Sequence, residues 1–174
     1  MDIDGATRKH STVMSADVVG YTAMMAEDAG ATLNGLIACW RRIEALVKQF
    51  GGRIVDAPGD NMMVEFPSEL GAMLCAIEVQ RALEALRERT RPAAKMHVRI
   101  GVHAGERIER YGRLYGHPLN VASRLQTDAE PDGVLLSAAV ADRLPISIQR
   151  GLHELGPRTY KNVPERVVTY RARP

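Results

Sequence analysis

Two short β-like runs on either side of a Pro-Gly-Asp turn constrain this chain most. The runs cover residues 53–55 and 62–66, and the turn covers residues 58–60. Proline and glycine between two β-patterned runs favour a hairpin. Asp60, at the tip of this hairpin, would therefore hold a carboxylate in a fixed place.

A second carboxylate lies at the end of an earlier β-rich run. Residues 13–19 are mostly apolar and contain Asp17, and Gly20 then allows a sharp turn into a helix. If this strand neighbours the hairpin in one sheet, Asp17 and Asp60 converge. Two carboxylates with backbone carbonyls are hard oxygen ligands, which suit magnesium or manganese. The sequence therefore predicts a divalent-cation site.

Length and composition are those of an ordinary globular domain. The 174 residues are 45% hydrophobic and 25% charged, and the net charge of +2 is too small to indicate nucleic-acid binding. Cys39 and Cys75 lie in helical patterns, which predicts reduced core thiols. No apolar run reaches about 20 residues and the N-terminus lacks a signal-peptide pattern. These features predict a cytoplasmic chain with no membrane segment.

Apolar periodicity predicts the helices and strands. Residues 1–10 are polar and are expected to be flexible, so that residues 11–174 form the single domain. Strands are predicted at 11–19, 96–108 and 134–137, and edge strands at 146–152 and 167–170. Helices are predicted at 21–29, 33–50, 67–86, 120–128 and 138–144. Gly51-Gly52 is expected to end the second helix. The apolar sides of the two long helices are Leu33, Leu36, Ile37, Trp40, Ile43, Val47 and Phe50 in the first, and Leu70, Met73, Leu74, Ile77, Leu83 and Leu86 in the second.

The order β-α-α-β-β-α-β, followed by further strands, indicates an α+β fold. We expect helices to cover one face of a mostly antiparallel sheet. On the helix predicted at 120–128, Asn120 and Arg124 are four residues apart and project from one face. An amide and a guanidinium so placed can bind a ribose and a phosphate, although such a pair by itself is more often a solvent-facing coincidence.

Five motifs in order resemble the catalytic domain of class III nucleotidyl cyclases. They are residues 16–22, 51–55, 59–60 with 64–66, 98–105 and 119–125, within a likeness that extends from about Ser11 to Tyr170. The resemblance implies a ferredoxin-like βααββαβ core. It also implies an enzyme that converts a nucleoside triphosphate into a 3′,5′-cyclic monophosphate and pyrophosphate.

The resemblance assigns residues to the cations and the phosphates. Asp17 and Asp60, with the carbonyl of Val18, match the ligands of two divalent cations, Mg²⁺ or Mn²⁺. The backbone N–H groups after Val18 match a phosphate-binding turn and helix start. The residues of that turn are Val19, Gly20, Tyr21 and Thr22.

The resemblance also assigns residues to the ribose and to the charge that builds on phosphorus. Asn120 matches the residue that orients the ribose, and Arg124 matches the arginine that stabilises the charge on the phosphorus oxygens. Lys161 matches a tail lysine that meets the terminal phosphates. In this family the metal pair and the Asn/Arg pair come from different protomers, which implies a head-to-tail homodimer with two composite sites.

Both positions that read the base depart from the adenylate cyclase pattern. Asp56 stands where a lysine reads adenine, and Arg113 stands where an aspartate or threonine does. An Asp/Arg pair fits the donors and acceptors of guanine better than those of adenine. Two alternatives are that Asp56 and Arg113 pair with each other and close the pocket, or that Arg113 meets a carbonyl of a pyrimidine.

The sequence supports two functions. The retention of Asp17, Asp60, Asn120 and Arg124 favours a purine nucleotide cyclase that acts on ATP or GTP. The loss of both base readers favours a degenerate cyclase domain that binds nucleotide or a partner without turnover. His97 and His103 are read as strand residues, one outward and one inward, with no metal role.

Overall fold

The computed structural model describes residues 7–90 and 94–173 as one eight-stranded sheet with six helices in those ranges. No helix in these ranges is long and apolar enough to cross a bilayer. The strands are β1 Thr7–Val18, β2 Arg53–Asp56, β3 Asn61–Phe66, β4 Val98–Arg110, β5 Arg113–Tyr115, β6 Val134–Ser137, β7 His153–Arg158 and β8 Val167–Ala172. The helices are α1 Tyr21–Glu27, α2 Ala29–Gln49, α3 Glu69–Glu88, α4 His117–Asp128, α5 Ala138–Ala141 and α6 Ile146–Gln149.

The sheet has the order β2-β3-β1-β4-β6-β8-β7, and β5 pairs with β4 outside this path. All pairs are antiparallel except β4 with β6. The predicted α+β class, the βααββαβ order and the mostly antiparallel sheet are therefore confirmed.

Helices cover both faces of this sheet rather than one. Alternate residues of β1, such as Met14 and Ala16, join one apolar cluster with α2 and α3. Helix α4 packs on the opposite face, where Val121 and Leu125 form a second cluster with Leu135. The expectation that helices cover one face is thus wrong for α4.

A close backbone approach explains how α4 fits on its face. A Cβ atom added to Gly101 in β4 would lie 2.2 Å from the carbonyl oxygen of Ala122 and 2.3 Å from the backbone nitrogen of Gln126. Only glycine therefore allows the helix to sit this near the strand. The sequence marks Gly101 within a β-pattern, but that pattern does not say which face receives a helix.

The predicted end of α2 at Gly51-Gly52 is confirmed, whereas α1 ends at Glu27 and α2 begins at Ala29, both earlier than predicted. The carboxylate of Asp28 accepts from the Ala31 N–H at 2.9 Å at the start of α2. At its end, the N–H of Gly52 donates to the Val47 carbonyl at 2.8 Å and that of Gly51 to the Lys48 carbonyl at 3.2 Å. Gly51 has φ +75°, so these bonds form the Schellman arrangement that left-handed glycine permits. The chain leaves α2 directly into β2.

The predicted hairpin is confirmed as β2 and β3, which pair antiparallel. The indole N–H of Trp40 on α2 donates to the carbonyl of Gly59 at 3.1 Å. This bond ties the hairpin tip to α2.

Two further predictions concern the long helices. The Ser68 hydroxyl accepts from the Gly71 N–H at 3.1 Å and caps α3 as predicted. Cys39 and Cys75 are buried and free, in agreement with their interpretation as core thiols.

Several boundaries differ from the predictions. Residues 7–10 belong to β1 and pair with β4, so the strand begins before the predicted Ser11, whereas residues 1–6 lie outside the described part. The run 146–152 begins as α6, because the carbonyl of Pro145 accepts from the N–H groups of Ile148 and Gln149 and starts a helical turn. Strand β8 lies between β6 and β7 and is not an edge. Leu33, Ile37 and Leu74, expected in the apolar stripes, are 44%, 49% and 41% exposed.

We predict that Gly101→Ala weakens the packing of α4. The added methyl group would overlap backbone atoms that cannot rotate away, so we expect a loss of about 1–3 kcal/mol in the free energy of unfolding. Gly151→Ala is the matched control, because a Cβ atom added to Gly151 would have its nearest neighbour, the carbonyl oxygen of Ile148, at 3.4 Å. Urea denaturation of both variants checks the difference, and equal midpoints would contradict it.

Candidate active site

Asp17 and Asp60 lie at the neighbouring ends of two paired strands. Asp17 is the penultimate residue of β1 and lies opposite Asn61, the residue after Asp60. The backbone N–H of Val18 donates to the carbonyl of Asp60 at 3.1 Å. The pairing of β1 with β3 thus places the backbones of the two aspartates next to each other.

Arg99 contacts Asp17 and was not among the residues singled out in the sequence. Its Nη2 lies 2.8 Å from Oδ2 of Asp17, and its Nη1 donates to the carbonyl of Thr127 at 3.1 Å. Asp17 and Arg99 face each other across β1 and β4. This ion pair with the Arg99 guanidinium fixes the orientation of the Asp17 carboxylate. Only the strand register, which the sequence does not show, could have identified this contact.

The donor set at this end of the sheet fits a hard divalent cation. The side chain of Asp17 is 19% exposed, and Asp60 is half-buried, so both carboxylates are open to solvent. Across residues 7–90 and 94–173, no group of three or more His, Cys, Asp or Glu side chains is placed to hold a metal. A cation would therefore bind the two carboxylates together with backbone oxygen, the predicted role of the Val18 carbonyl.

Asp56 and Arg113 line the same cavity, which has a volume of about 290 Å³. Within the described ranges no ion pair joins them. Oδ1 of Asp56 instead accepts from the N–H of Ala57 at 3.0 Å. The idea that this pair closes the pocket is therefore wrong for this structure. The remaining lining residues are Val55, Asn61, Met63, Leu114, Tyr115 and Leu119.

Asn120 and Arg124, the polar pair of α4, come directly after a residue that lines this cavity. Leu119 lines it, the next residue, Asn120, is exposed, and Arg124 is half-buried one turn later. The Nε of Arg124 donates to the backbone carbonyl of Lys161 at 3.2 Å. The tail is therefore bound to α4 at the arginine, with the Lys161 side chain exposed beside it.

The carboxylate pair and the α4 pair are not hydrogen-bonded to each other within one chain. In the described part of the chain, neither Asp17 nor Asp60 is hydrogen-bonded to Asn120 or Arg124. Arg99 links Asp17 to α4 at Thr127, which lies three residues after Arg124 and seven after Asn120, or about 5 Å and about 10 Å along the helix.

The turn before α1 differs in one respect from the phosphate-binding prediction. The N–H of Val19 donates to the carbonyl of His97 at 2.8 Å, so it is already used by the backbone and cannot receive a phosphate. Gly20 precedes α1, which begins at Tyr21 and continues through Thr22. The first N–H groups of a helix have no partner within it, so those of Tyr21 and Thr22 can still bind a phosphate, which stays a prediction.

His103 lies beneath the first turn of α4. Its Nδ1 is 2.7 Å from the hydroxyl of Ser137, and its ring meets that of His117 edge-on at 6.2 Å. Burial, with the nearby His117, lowers the pKa of His103 from 6.5 to about 4. His117 in turn is hydrogen-bonded to Glu165 in the tail. His103 is thus a neutral inward residue, as expected.

Comparison with known families now identifies this arrangement. The family model described as adenylate and guanylate cyclase catalytic domain matches residues 5–170. The chain belongs to this cyclase family. The predicted class III resemblance is therefore confirmed across nearly the whole chain.

Individual relatives agree with the cyclase domain. A putative adenylate cyclase 3 of Rhizobium meliloti is 32% identical over 154 residues, which cover 85% of this chain and 26% of that protein. The chain spans about a quarter or less of the length of the curated relatives it matches. An adenylate/guanylate cyclase/hydrolase structure from Silicibacter pomeroyi superposes with TM-score 0.86 and 29% identity, covering 97% of this chain and 99% of that one. The guanylate cyclase domain of RhGC from Catenaria anguillulae, solved with GTP, has TM-score 0.79 and 18% identity, covering 95% and 97%.

We predict that the buried His103 makes this cyclase domain less stable in acid. Because folding lowers its pKa from 6.5 to about 4, the unfolded chain binds the extra proton first. The contribution is complete above pH 6.5, falls with pH and is lost by about pH 4. Between pH 7 and pH 5 this amounts to about 2 kcal/mol in the free energy of unfolding.

Denaturation of wild type and His103→Gln at both pH values checks this expectation. The variant should lose about 2 kcal/mol less than wild type over the same interval. His153→Gln, which changes an exposed histidine of β7, should keep the wild-type slope. Equal slopes for wild type and His103→Gln would contradict the assignment. The titratable neighbours of His103 are His10, His117 and Glu165.

Proposed function

We propose that this cyclase domain converts a purine nucleoside triphosphate into its 3′,5′-cyclic monophosphate and pyrophosphate. The observation that carries the proposal is the juxtaposition of Asp17 and Asp60 at hydrogen-bonded strand ends, in a chain of this family. A pair of carboxylates on rigid strands suits a reaction in which a hydroxyl displaces pyrophosphate in line. ATP and GTP are both substrates of this class.

Asp17 and Asp60, with the Val18 carbonyl, are the residues we assign to two divalent cations, Mg²⁺ or Mn²⁺. Bound there, the cations supply charge that activates the ribose 3′-hydroxyl and neutralises the triphosphate. Arg99 holds Oδ2 of Asp17 and so sets the orientation of that carboxylate.

The other residues bind and orient the substrate. Asn120 positions the ribose, and Arg124 stabilises charge on the phosphorus oxygens. The carbonyl of Lys161 restrains Arg124 through Nε, which leaves its terminal nitrogens for the phosphate. The Lys161 ammonium is assigned to the terminal phosphates, and the N–H groups at Gly20, Tyr21 and Thr22 to the remaining phosphate oxygens.

We further propose that the active form is a head-to-tail homodimer. Membership of the cyclase family supports this, because the resemblance implies that the two pairs of one site come from different protomers. Among the described residues, no hydrogen bond joins the carboxylate pair to Asn120 or Arg124 within one chain. Two protomers that face each other would form two sites, each with the carboxylates of one chain and the α4 pair of its partner.

The cavity that contains Asp56 and Arg113 supports guanine as the preferred base. Because the two side chains are not paired with each other, both are free to contact a ligand. The Asp56 carboxylate can accept from the N1–H and the exocyclic amine of guanine, and Arg113 can donate to O6.

A nucleotide-binding module without turnover is the second candidate. The observation that favours it is the replacement of both family base readers by Asp56 and Arg113. Product chromatography of the concentrated domain with Mn²⁺ and ATP, GTP, CTP or UTP in parallel separates the two functions. One dominant cyclic product supports the cyclase. Four blanks from a dimer confirmed by light scattering would support the binding module.

We predict that two inactive variants restore each other when mixed. Asp17→Asn removes a metal ligand, and Arg124→Ala removes the charge-stabilising group, so each homodimer should have no intact site. Random exchange of equal amounts makes about half of the dimers mixed, and one of the two sites in each is intact. Activity should therefore return to about a quarter of the wild-type value, as expected for sites shared between protomers. A mixture as inactive as its components would contradict the composite site.

We also predict that Asp56→Lys with Arg113→Asp shifts the substrate preference towards ATP. The exchange restores the donor and acceptor arrangement of adenine readers, and a hydrogen-bonded pair of this kind discriminates by about 1–3 kcal/mol. The ratio of kcat/KM for ATP and GTP is the measurement. The control is Glu154→Gln, which alters an exposed side chain that accepts from Tyr170. An unchanged ratio would show that these residues do not read the base.

A further inference from the structure

Four charged side chains form a closed ring on the face of the sheet that carries α4. Glu65 of β3 accepts from the Nε atoms of Arg53 and Arg107, each at 2.7 Å. Glu109 completes the ring, because Arg53 Nη2 lies 3.1 Å and Arg107 Nη1 lies 2.8 Å from its carboxylate oxygens. Each acid contacts both bases, and each base contacts both acids.

The ring is buried on one side and open on the other. The side chains of Arg107 and Glu65 are 5% and 9% exposed, whereas those of Glu109 and Arg53 are 26% and 49% exposed. Burial by itself would raise the pKa of Glu65, but its bonds to Arg53 and Arg107 hold that pKa below the ordinary value. The ring thus combines two acidic and two basic side chains, whose formal charges balance.

The ring joins strands that are not neighbours. Arg53 is on β2 and Glu109 is on β4, and β3 and β1 lie between them in the sheet. In β1 the register places Val13 opposite Glu65 and Lys9 opposite Arg107, so the residue of the same face between them is Ser11. Ser11 is 3% exposed. Its small side chain lets the four charged groups meet across β1.

The ring is close in the sheet to the two charged residues of the cavity, Asp56 on β2 and Arg113 on β5, the strand paired with β4. Arg53 lies three residues before Asp56 on β2. Glu109 pairs with Leu114, which lines the cavity next to Arg113. A displacement of β2 relative to the β4–β5 hairpin would change the spacing of Asp56 and Arg113. The ring is a direct side-chain link across this gap.

We propose that the ring of Arg53, Glu65, Arg107 and Glu109 sets the spacing of Asp56 and Arg113 and so determines how sharply the cavity distinguishes guanine from adenine. The ring residues do not line the cavity, so they are positioning residues. The inference rests on the proposed function of that cavity. Planar guanidinium groups suit the role, because two fixed bonds from each arginine define a distance that a flexible lysine would not.

The test needs no turnover and uses the open side of the ring. Arg53→Met removes both contacts of β2 with the ring, whereas Glu109→Gln removes the charge only from the path through Glu109. Both variants leave the buried Arg107–Glu65 bond in place. Calorimetry with non-cyclisable GTP and ATP analogues gives the ratio of their Kd values for each variant. Arg8→Met is the control, because Arg8 and Glu106 also form an Arg–Glu pair between β1 and β4, at 3.1 Å, but with 61% and 63% exposure.

We expect the Kd ratio to move towards one by at least fivefold in Arg53→Met and in Glu109→Gln. The double variant should show no larger change than Arg53→Met alone, because that substitution already removes the Arg53–Glu109 contact. Arg8→Met should keep the wild-type ratio. Thermal unfolding of all the variants, measured in parallel, reports stability separately from selectivity.

Three results would overturn the proposal. The first is an unchanged ratio with a lower Tm, which would make the ring a stabilising element alone. The second is an equal change in Arg8→Met, and the third is a wild-type Kd ratio within fivefold of one, since the expected change could not then occur. Absence of cyclic product with a retained, ring-dependent Kd ratio would refute the proposed catalysis and leave this inference standing.

Discussion

The pairing of β1 with β3 on one side and β4 on the other is the interaction on which the rest of this domain depends. It sets Asp17 beside Asp60 through the Val18 N–H, and it sets Arg99 opposite Asp17. A slip of β1 by one residue would turn every side chain to the other face. Met14 and Ala16 would then leave the core, and Asp17 would enter it, so the register is fixed by burial as well as by hydrogen bonds.

The two halves of the proposed chemistry are built in different ways. The carboxylates stand on strand ends and are held by backbone pairing and by Arg99. The α4 pair stands on a helix whose buried side, Val121 and Leu125, packs in a small separate cluster. This cluster also includes Val163 of the tail, so the tail that carries Lys161 is attached to α4 by apolar contact as well as by the bond from Arg124. The sheet thus holds the carboxylates in place, and the packing of α4 holds Asn120 and Arg124 in place.

Local patterns predicted most of the fold because local physics decides those features. A few neighbouring residues decide the end of α2 at Gly51-Gly52, the Ser68 cap and the β2–β3 hairpin. All three were predicted correctly. The helical turn at 146–149 was not, because its alternating apolar residues imitate a strand and the Pro145 carbonyl decides the outcome. The face occupied by α4 was also not predictable, because it depends on contacts between distant segments.

The site was predictable only as far as motifs reach. Family motifs assigned Asp17, Asp60, Asn120 and Arg124, whereas the contact of Arg99 and the ring around Glu65 come from strand register and from no spacing along the chain. The Val19 N–H shows the opposite failure. A turn motif gave it a phosphate role, but β-type pairing with His97 already uses it.

The seat of α4 on Gly101 has a mechanical consequence. The helix backbone lies so near the strand backbone that no side chain fits between them. Arg99, which bonds to Thr127, adds a second attachment at the far end. We therefore expect α4 and the sheet to move together. In the proposed homodimer, closure around a nucleotide would then be a motion of whole protomers against each other.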